Sequence, residues 1–245
     1  MRGLRKGRYD ARLAEGAADI RAAQELRTMA FRAGQGALDA DPFDARCRHI
    51  LVHDTRDGTL VCCFRLLPLA GGASIEQSYS AQFYELSALR TFSGPMVEMG
   101  RFCIHPDYKD PDILRVAWGA MTRFVDDTGV EMLFGCSSFQ GTESEQYMDA
   151  FALLKDRHLA PKTLLPRIKA PNVFKFASKL RRFKPDAKRA MLGMPPLLRT
   201  YLMMGGWVSD HAVVDQDLNT LHVFTGLEIK SIPENRKRLL RATAT

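Results

Sequence analysis

The chain has 245 residues, 46% hydrophobic and 26% charged, with a net charge of +7, enough apolar material for the buried core of a globular protein. No apolar run approaches the roughly 20 residues that span a bilayer, and MRGLRKGRYD has no hydrophobic stretch behind its basic residues, so a cytoplasmic protein is expected. The five cysteines (Cys47, Cys62, Cys63, Cys103, Cys136) are odd in number, form no CxxC pair and lie mostly in strand-like runs, which points to reduced, buried thiols and no metal site.

Residues 1–16 read as a short strand or extended arm. From Asp19 to Arg32 apolar residues recur at Ile20, Ala23, Leu26, Ala30 and Phe31, and Asp19 is a fair N-cap, so a helix is expected there, ended by Gly34 and Gly36. An acidic loop with Asp39, Asp41 and Asp44 follows, and then two strand-like runs, HILVHD (49–54) and LVCCFRLLPL (60–69), joined by a hairpin turn at Asp57-Gly58. Ala70–Ser78 is a loop of small residues. Tyr79–Leu89 reads as a helix, with Phe83, Tyr84 and Leu86 available to line a pocket.

The stretch Val97–Tyr108 is an apolar, β-prone run that breaks at His105-Pro106. Beyond Asp110-Pro111, helical spacing takes over at Ile113, Leu114, Ala117, Met121 and Val125. Glu98 and Arg101 lie three positions apart inside that strand, so alternation sends them to opposite faces unless a bulge intervenes. A charge in a core strand is costly unless it is paired or used, which makes this strand the place to look for chemistry. After Thr128-Gly129 another strand is expected in VEMLFGCSSF, and Thr142 with Glu145 reads as a capping box opening a helix to about Arg157. WVSDHAVV and TLHVF are two more strands, and 233–241 suggests a short basic helix.

Between Arg167 and Arg189 nine basic residues stand against the single acidic Asp186. This net +8 leaves −1 for the rest of a chain whose total is +7. Phe174, Phe176, Leu180 and Phe183 are interleaved with them. Such a segment suits an anionic membrane surface, a nucleic acid or an acidic carrier protein, and equally a solvated helix face with no partner. Its confinement to one stretch, while Glu98 and Arg101 occupy a strand, speaks against nucleic acid.

The order of elements, with a strand–helix–strand unit inside a mostly antiparallel sheet, resembles that of the GNAT N-acyltransferases. The motifs LRTMAF, DPFDARCRHILV, FRLLP and VEMGRF resemble the series shared by acyl-homoserine-lactone synthases and bacterial ornithine acyl-ACP N-acyltransferases. Downstream, LFGCSSFQGTESEQYMDAFALLKDRHLAP and MPPLLRTYLMMGGWVSDHAVVDQDLNTLHVFT resemble the ornithine branch. Cys62-Cys63 ahead of FRLLP departs from many relatives, which have small residues there.

The resemblance implies an α/β (α+β) GNAT-like fold, with a mixed, mostly antiparallel central sheet flanked by helices. It would span 1–245 as a single domain with a basic helical insertion at about 161–200. The implied reaction is transfer of a (3-hydroxy)acyl group from the phosphopantetheine of acyl carrier protein to the α-amino group of L-ornithine, the first step of ornithine-lipid synthesis, with no tightly bound cofactor. The positions matching the family pattern are Arg27, Phe31, Asp41, Asp44, Arg65, Glu98 and Arg101.

An ammonium has no lone pair, so the reaction needs a base, and Glu98 is the candidate, directly or through a water. Its alternative is a structural pairing with Arg101 or Arg65. Strand N–H groups near Cys103 or Ile104 could stabilise the oxyanion, and Tyr147 reads as a core aromatic sooner than as an acid. Arg65 or Arg101 could bind the acceptor carboxylate, with Phe83 lining the site. For Arg27, Asp41 and Asp44 a salt-bridge network that orders the N-terminal lobe is favoured over direct substrate contact. The turn HPDYKDPDILR lacks the glycines with which many coenzyme-A-using relatives cradle a pyrophosphate. This favours a carrier-protein donor, docked on Lys179, Arg181, Arg182 and Lys184. An anionic membrane surface remains open as a second partner, which would place the protein at the inner membrane. Glutamine, glycine or homoserine-lactone chemistry remain alternatives, as does the O-acyltransferase signature HxxxxD, present at His49–Asp54 and His105–Asp110.

Overall fold

The structure is a computed structural model and describes residues 3–244. Strands β1 (Leu4–Lys6) and β2 (Tyr9–Leu13) form a hairpin through Gly7 in the left-handed region (φ 58°). Helix α1 (Ala17–Arg32) has its N-cap at Gly16, three residues before the expected Asp19. Asp19 instead lies in the first turn, where Arg12 holds it (Nη2 to Oδ1, 2.8 Å) and lowers its pKa to about 2. Ala33 ends the helix in the left-handed region, and Gly34 N–H closes on Thr28 O at 3.1 Å. Strands β3 (Arg48–Asp54) and β4 (Leu60–Leu69) pair antiparallel across the turn at Gly58 (φ 77°), as the sequence suggests.

Residues 79–89 are not the expected helix. They form short 3-10 turns at Ser80–Gln82 and Ser87–Leu89 around a two-residue strand, β5 (Tyr84–Glu85). Their first N–H groups serve side-chain acceptors instead: Tyr79 and Ser80 donate to Glu98, and Ala81 donates to Ser78 Oγ. Tyr84 and Leu86 are fully buried in the core.

Strand β6 (Met96–Ile104) leads to α2 (Pro111–Thr128). Asp110 caps that helix by accepting from Asp112 N–H, and Gly129 ends it. Strand β7 (Met132–Gln140) follows. The Thr142–Glu145 capping box does not form. Gln146 and Tyr147 turn back to Gln140 O, residues 144–147 tighten into a 3-10 turn, and α3 begins later (Met148–Arg157). The basic stretch holds two short strands, β8 (Arg167–Ile168) and β9 (Val173–Phe174), before the helices α4 (Phe176–Lys179), α5 (Ala187–Gly193) and α6 (Pro196–Met203). Strands β10 (Trp207–Asp215) and β11 (Thr220–Glu228) and helix α7 (Glu234–Ala244) complete the chain. No helix among the described residues is long and apolar enough to cross a membrane.

The described residues fall into two compact units. The first comprises residues within 1–68, 99–130 and 233–245. Its strands run antiparallel in the order β1, β2, β3, β4. Helix α1 buries Ala23 and Leu26 against Leu51, Cys63 and Cys103. Helix α2 packs on β1, β2 and α7, and Gly119 allows the close approach: a Cβ there would lie 2.7 Å from Leu4 and 3.0 Å from Thr243 O.

The second unit comprises 69–98 and 131–232. Met96–Glu98 of β6 pair in parallel with Met132–Phe134, and β7, β11, β10 and β9 continue antiparallel. One sheet face carries Phe139, Leu221 and Val223 under Phe151 and Leu154 of α3, closed by Phe176, Leu180 and Ala190 from the basic segment. None of the five cysteines is in a disulfide, and Cys62, Cys63 and Cys103 are buried.

Candidate active site

In the first unit, Arg27 from α1, Arg65 from β4 and Arg101 from β6 converge on the carboxylates of Asp39, Asp41 and Asp44 from the acidic loop. Arg27 donates to Asp39 Oδ1 (2.8 Å) and to both oxygens of Asp44 (2.8 and 3.0 Å), and also bonds Asp39 O. Arg65 grips Asp41 with two prongs (2.6 and 2.7 Å) and reaches Asp44 at 2.6 Å. Arg101 reaches Asp39 at 3.1 Å and Asp41 at 3.4 Å. Three guanidiniums thus face three carboxylates.

Burial pushes the Asp44 carboxyl up, but hydrogen bonds from Arg27, Gln24 and Arg65 outweigh it and hold it well below the usual carboxylate range. Asp41 is lowered in the same way by Arg65 and Arg101. Arg27, Asp39, Asp44 and Arg65 are buried, whereas the Arg101 and Asp41 side chains keep 13% and 18% exposure and form the rim.

Arg101 adopts a positive φ (53°), so the period of two along β6 is broken there, as a bulge would break it. The network favoured on sequence for Arg27, Asp41 and Asp44 is present, and it also takes in Arg65 and Asp39. Phe31 lies half-buried on the α1 core, Cys103 Sγ is 3.5 Å from Cys63 Sγ, and Ile104 is half-buried at the end of β6. The hydrogen bond to Cys63, together with burial, raises the Cys103 thiol well above its ordinary pKa.

In the second unit Glu98 is buried on β6 and accepts from Tyr79 N–H at Oε2 (2.7 Å), and from Ser80 N–H (2.7 Å) and Ser80 Oγ (2.5 Å) at Oε1. Ser80 Oγ also lies 3.4 Å from Cys136 Sγ. The turn at 79–80 therefore wraps the carboxylate with donors, a pairing that no sequence pattern revealed. Phe83 is half-buried and meets the His222 ring edge-on at 5.1 Å. His222 and His211 both pack on the Tyr84 ring, and Tyr84 Oη lies 2.8 Å from His222 O and 3.1 Å from its Nδ1.

Residues 23–119 match the family model described as an acetyltransferase (GNAT) domain. The chain is 31% identical to the L-ornithine N(alpha)-acyltransferase of Rhodobacter capsulatus, over 94% of this chain and 93% of that one. It is 30% identical to that of Brucella abortus, over 93% and 87%. The chain belongs to the L-ornithine N(alpha)-acyltransferase family.

FeeM, an N-acyl amino acid synthase from uncultured soil microbes, shares the fold at a TM-score of 0.50 and 10% identity, over 91% of this chain and 92% of that one. In this family member the two HxxxxD matches hold structure. His49 Nε2 bonds Asp44 O at 2.9 Å, and Asp54 pairs with Arg8 and Arg56. Asp110 caps α2 and takes the Tyr9 hydroxyl at 2.9 Å. Tyr147 Oη donates to Gln140 O, and its ring packs on Phe139 and Phe151. Lys179, Arg181, Arg182 and Lys184 are all exposed, with Lys179 over the Phe174 ring.

Proposed function

We propose that the protein transfers an acyl group from the phosphopantetheine thioester of acyl carrier protein to the α-amino group of L-ornithine, forming the lyso-ornithine lipid. The observation that carries this reading is the similarity to ornithine acyltransferases over more than nine-tenths of the chain. The amine attacks the thioester carbonyl, the C–N bond forms, the C–S bond breaks, and the pantetheine thiolate takes up a proton.

Glu98 receives the proton that the ammonium must lose, and the 79–80 turn orients its carboxylate. Arg101 and Asp41, the rim of the charge cluster in the first unit, carry charges complementary to the carboxylate and the side-chain ammonium of a zwitterionic acceptor. Arg27, Arg65, Asp39 and Asp44 hold that rim in place.

The start of α2 supports a carrier protein over a nucleotide donor. Pro111 has no N–H, Asp112 N–H already serves Asp110, and Asp107, Asp110 and Asp112 place carboxylates where a pyrophosphate would need cations. The purified chain, mixed with 3-hydroxyacyl carrier protein and ornithine, glutamine, glycine or other amino acids, is expected to give an N-acylated product with ornithine by mass spectrometry. A product with glutamine or glycine alone would replace the acceptor assignment.

A further inference from the structure

In the second unit, the outward face of α5 carries apolar residues that no core covers. Asp186 caps this helix, and Ala190 and Met194 are buried in the core beside α3. Met191 and Leu192 point away from that core, at 43% and 76% exposure, and Phe183 in the preceding turn keeps 39%. Leu192 is the most exposed large hydrophobic side chain among the described residues. Lys188 lies three and four positions before the pair, on the same outward face, and Arg181, Arg182 and Lys184 are exposed just upstream.

We infer that this face of α5 docks the protein on an anionic lipid bilayer, with Lys188 at the headgroup phosphates and Met191 and Leu192 in the acyl boundary. Cations alone would serve a soluble acidic partner equally well. The two aliphatic side chains beyond them decide the matter, because an acidic helix offers carboxylates, whereas a bilayer offers both negative charge and an apolar phase within one side-chain length. The inference does not depend on the acyl-transfer reading, since it concerns residues outside the proposed site and is tested without turnover.

The test is co-sedimentation of the full chain with vesicles of phosphatidylcholine, with and without about 30% phosphatidylglycerol. Binding is expected with the anionic vesicles and is expected to weaken between about 0.1 M and about 0.5 M salt. The double variant Met191→Ser/Leu192→Ser should bind about tenfold more weakly, and Lys188→Gln about fivefold, with thermal unfolding and the KM for acyl carrier protein unchanged. Equal binding to neutral and anionic vesicles would overturn the inference, as would a double variant that sediments like the parent. A double variant that binds vesicles normally but raises the KM for the carrier protein would assign the face to that protein.

Discussion

Glu98 is held by three donors from Tyr79 and Ser80, and two roles are consistent with that geometry: taking a proton, or anchoring the turn. The roles separate by substitution. As the base, Glu98→Gln should lower kcat by about 10²- to 10⁴-fold with little change in the KM for ornithine and should remove the acidic limb of the pH–rate profile, while Ser80→Ala stays within about tenfold of the parent. Equal losses in the two variants would make Glu98 a positioning residue.

His222 gives a second test at the same scale. Burial first, and the neighbouring His211 second, lower its pKa from 6.5 to about 4, so the folded protein keeps it neutral. The unfolded chain takes up that proton near pH 6.5. Stability is therefore fully present above this value and is lost as pH falls toward 4, by up to about 3 kcal/mol at 1.36 kcal/mol per unit. His49, His53 and His158, each lowered mainly by burial, act in the same direction. Urea unfolding at pH 7 and pH 5 should show the wild type losing more stability than His222→Gln; identical losses would refute the assignment.

At the scale of elements, the test is the cap of α2. Asp110→Ala removes the acceptor for Asp112 N–H and for the Tyr9 hydroxyl, and should cost about 1 kcal/mol or somewhat more in stability while leaving acyl transfer intact. A collapse of transfer in Asp110→Ala, with Glu98→Ala harmless, would point to HxxxxD chemistry instead.

Elements stabilised by local patterns were legible in the sequence. The period of α2, its Asp-Pro start and its Gly129 end all lie within one stretch, and β3 and β4 announce themselves through Asp57-Gly58. Where the deciding partner is distant in the chain, no local pattern announces the structure. Residues 79–89 carry helix-compatible residues, yet their N–H groups answer to a carboxylate 18 and 19 positions away. The same limit applied to the charge cluster. Its acidic loop is visible, but nothing local marks Asp39, whose partners, Arg27 and Arg101, are 12 and 62 positions away. The positive φ of Arg101 left no mark in the local sequence.

Taken over the whole molecule, the charge is concentrated. The net +8 of 167–189 sits on a chain that is otherwise near neutral, and every Lys and Arg in that stretch is exposed. Electrostatic attraction of an acidic carrier protein would act at Lys179, Arg181, Arg182 and Lys184, ahead of α5, chiefly on encounter. Reversing Arg181, Arg182 and Lys184 together to Glu should raise the KM for acyl carrier protein at least tenfold and leave the KM for ornithine alone; an unchanged KM for the carrier protein would move the donor elsewhere.

The proposed reaction fixes which nitrogen is acylated. Tandem mass spectrometry of the product formed from 3-hydroxyacyl carrier protein and ornithine labelled with heavy nitrogen at the side-chain amine should place the new amide on the unlabelled α-nitrogen, with one carrier thiol released per product. An amide on the labelled nitrogen, an ester, or no adduct despite an intact thioester would contradict it.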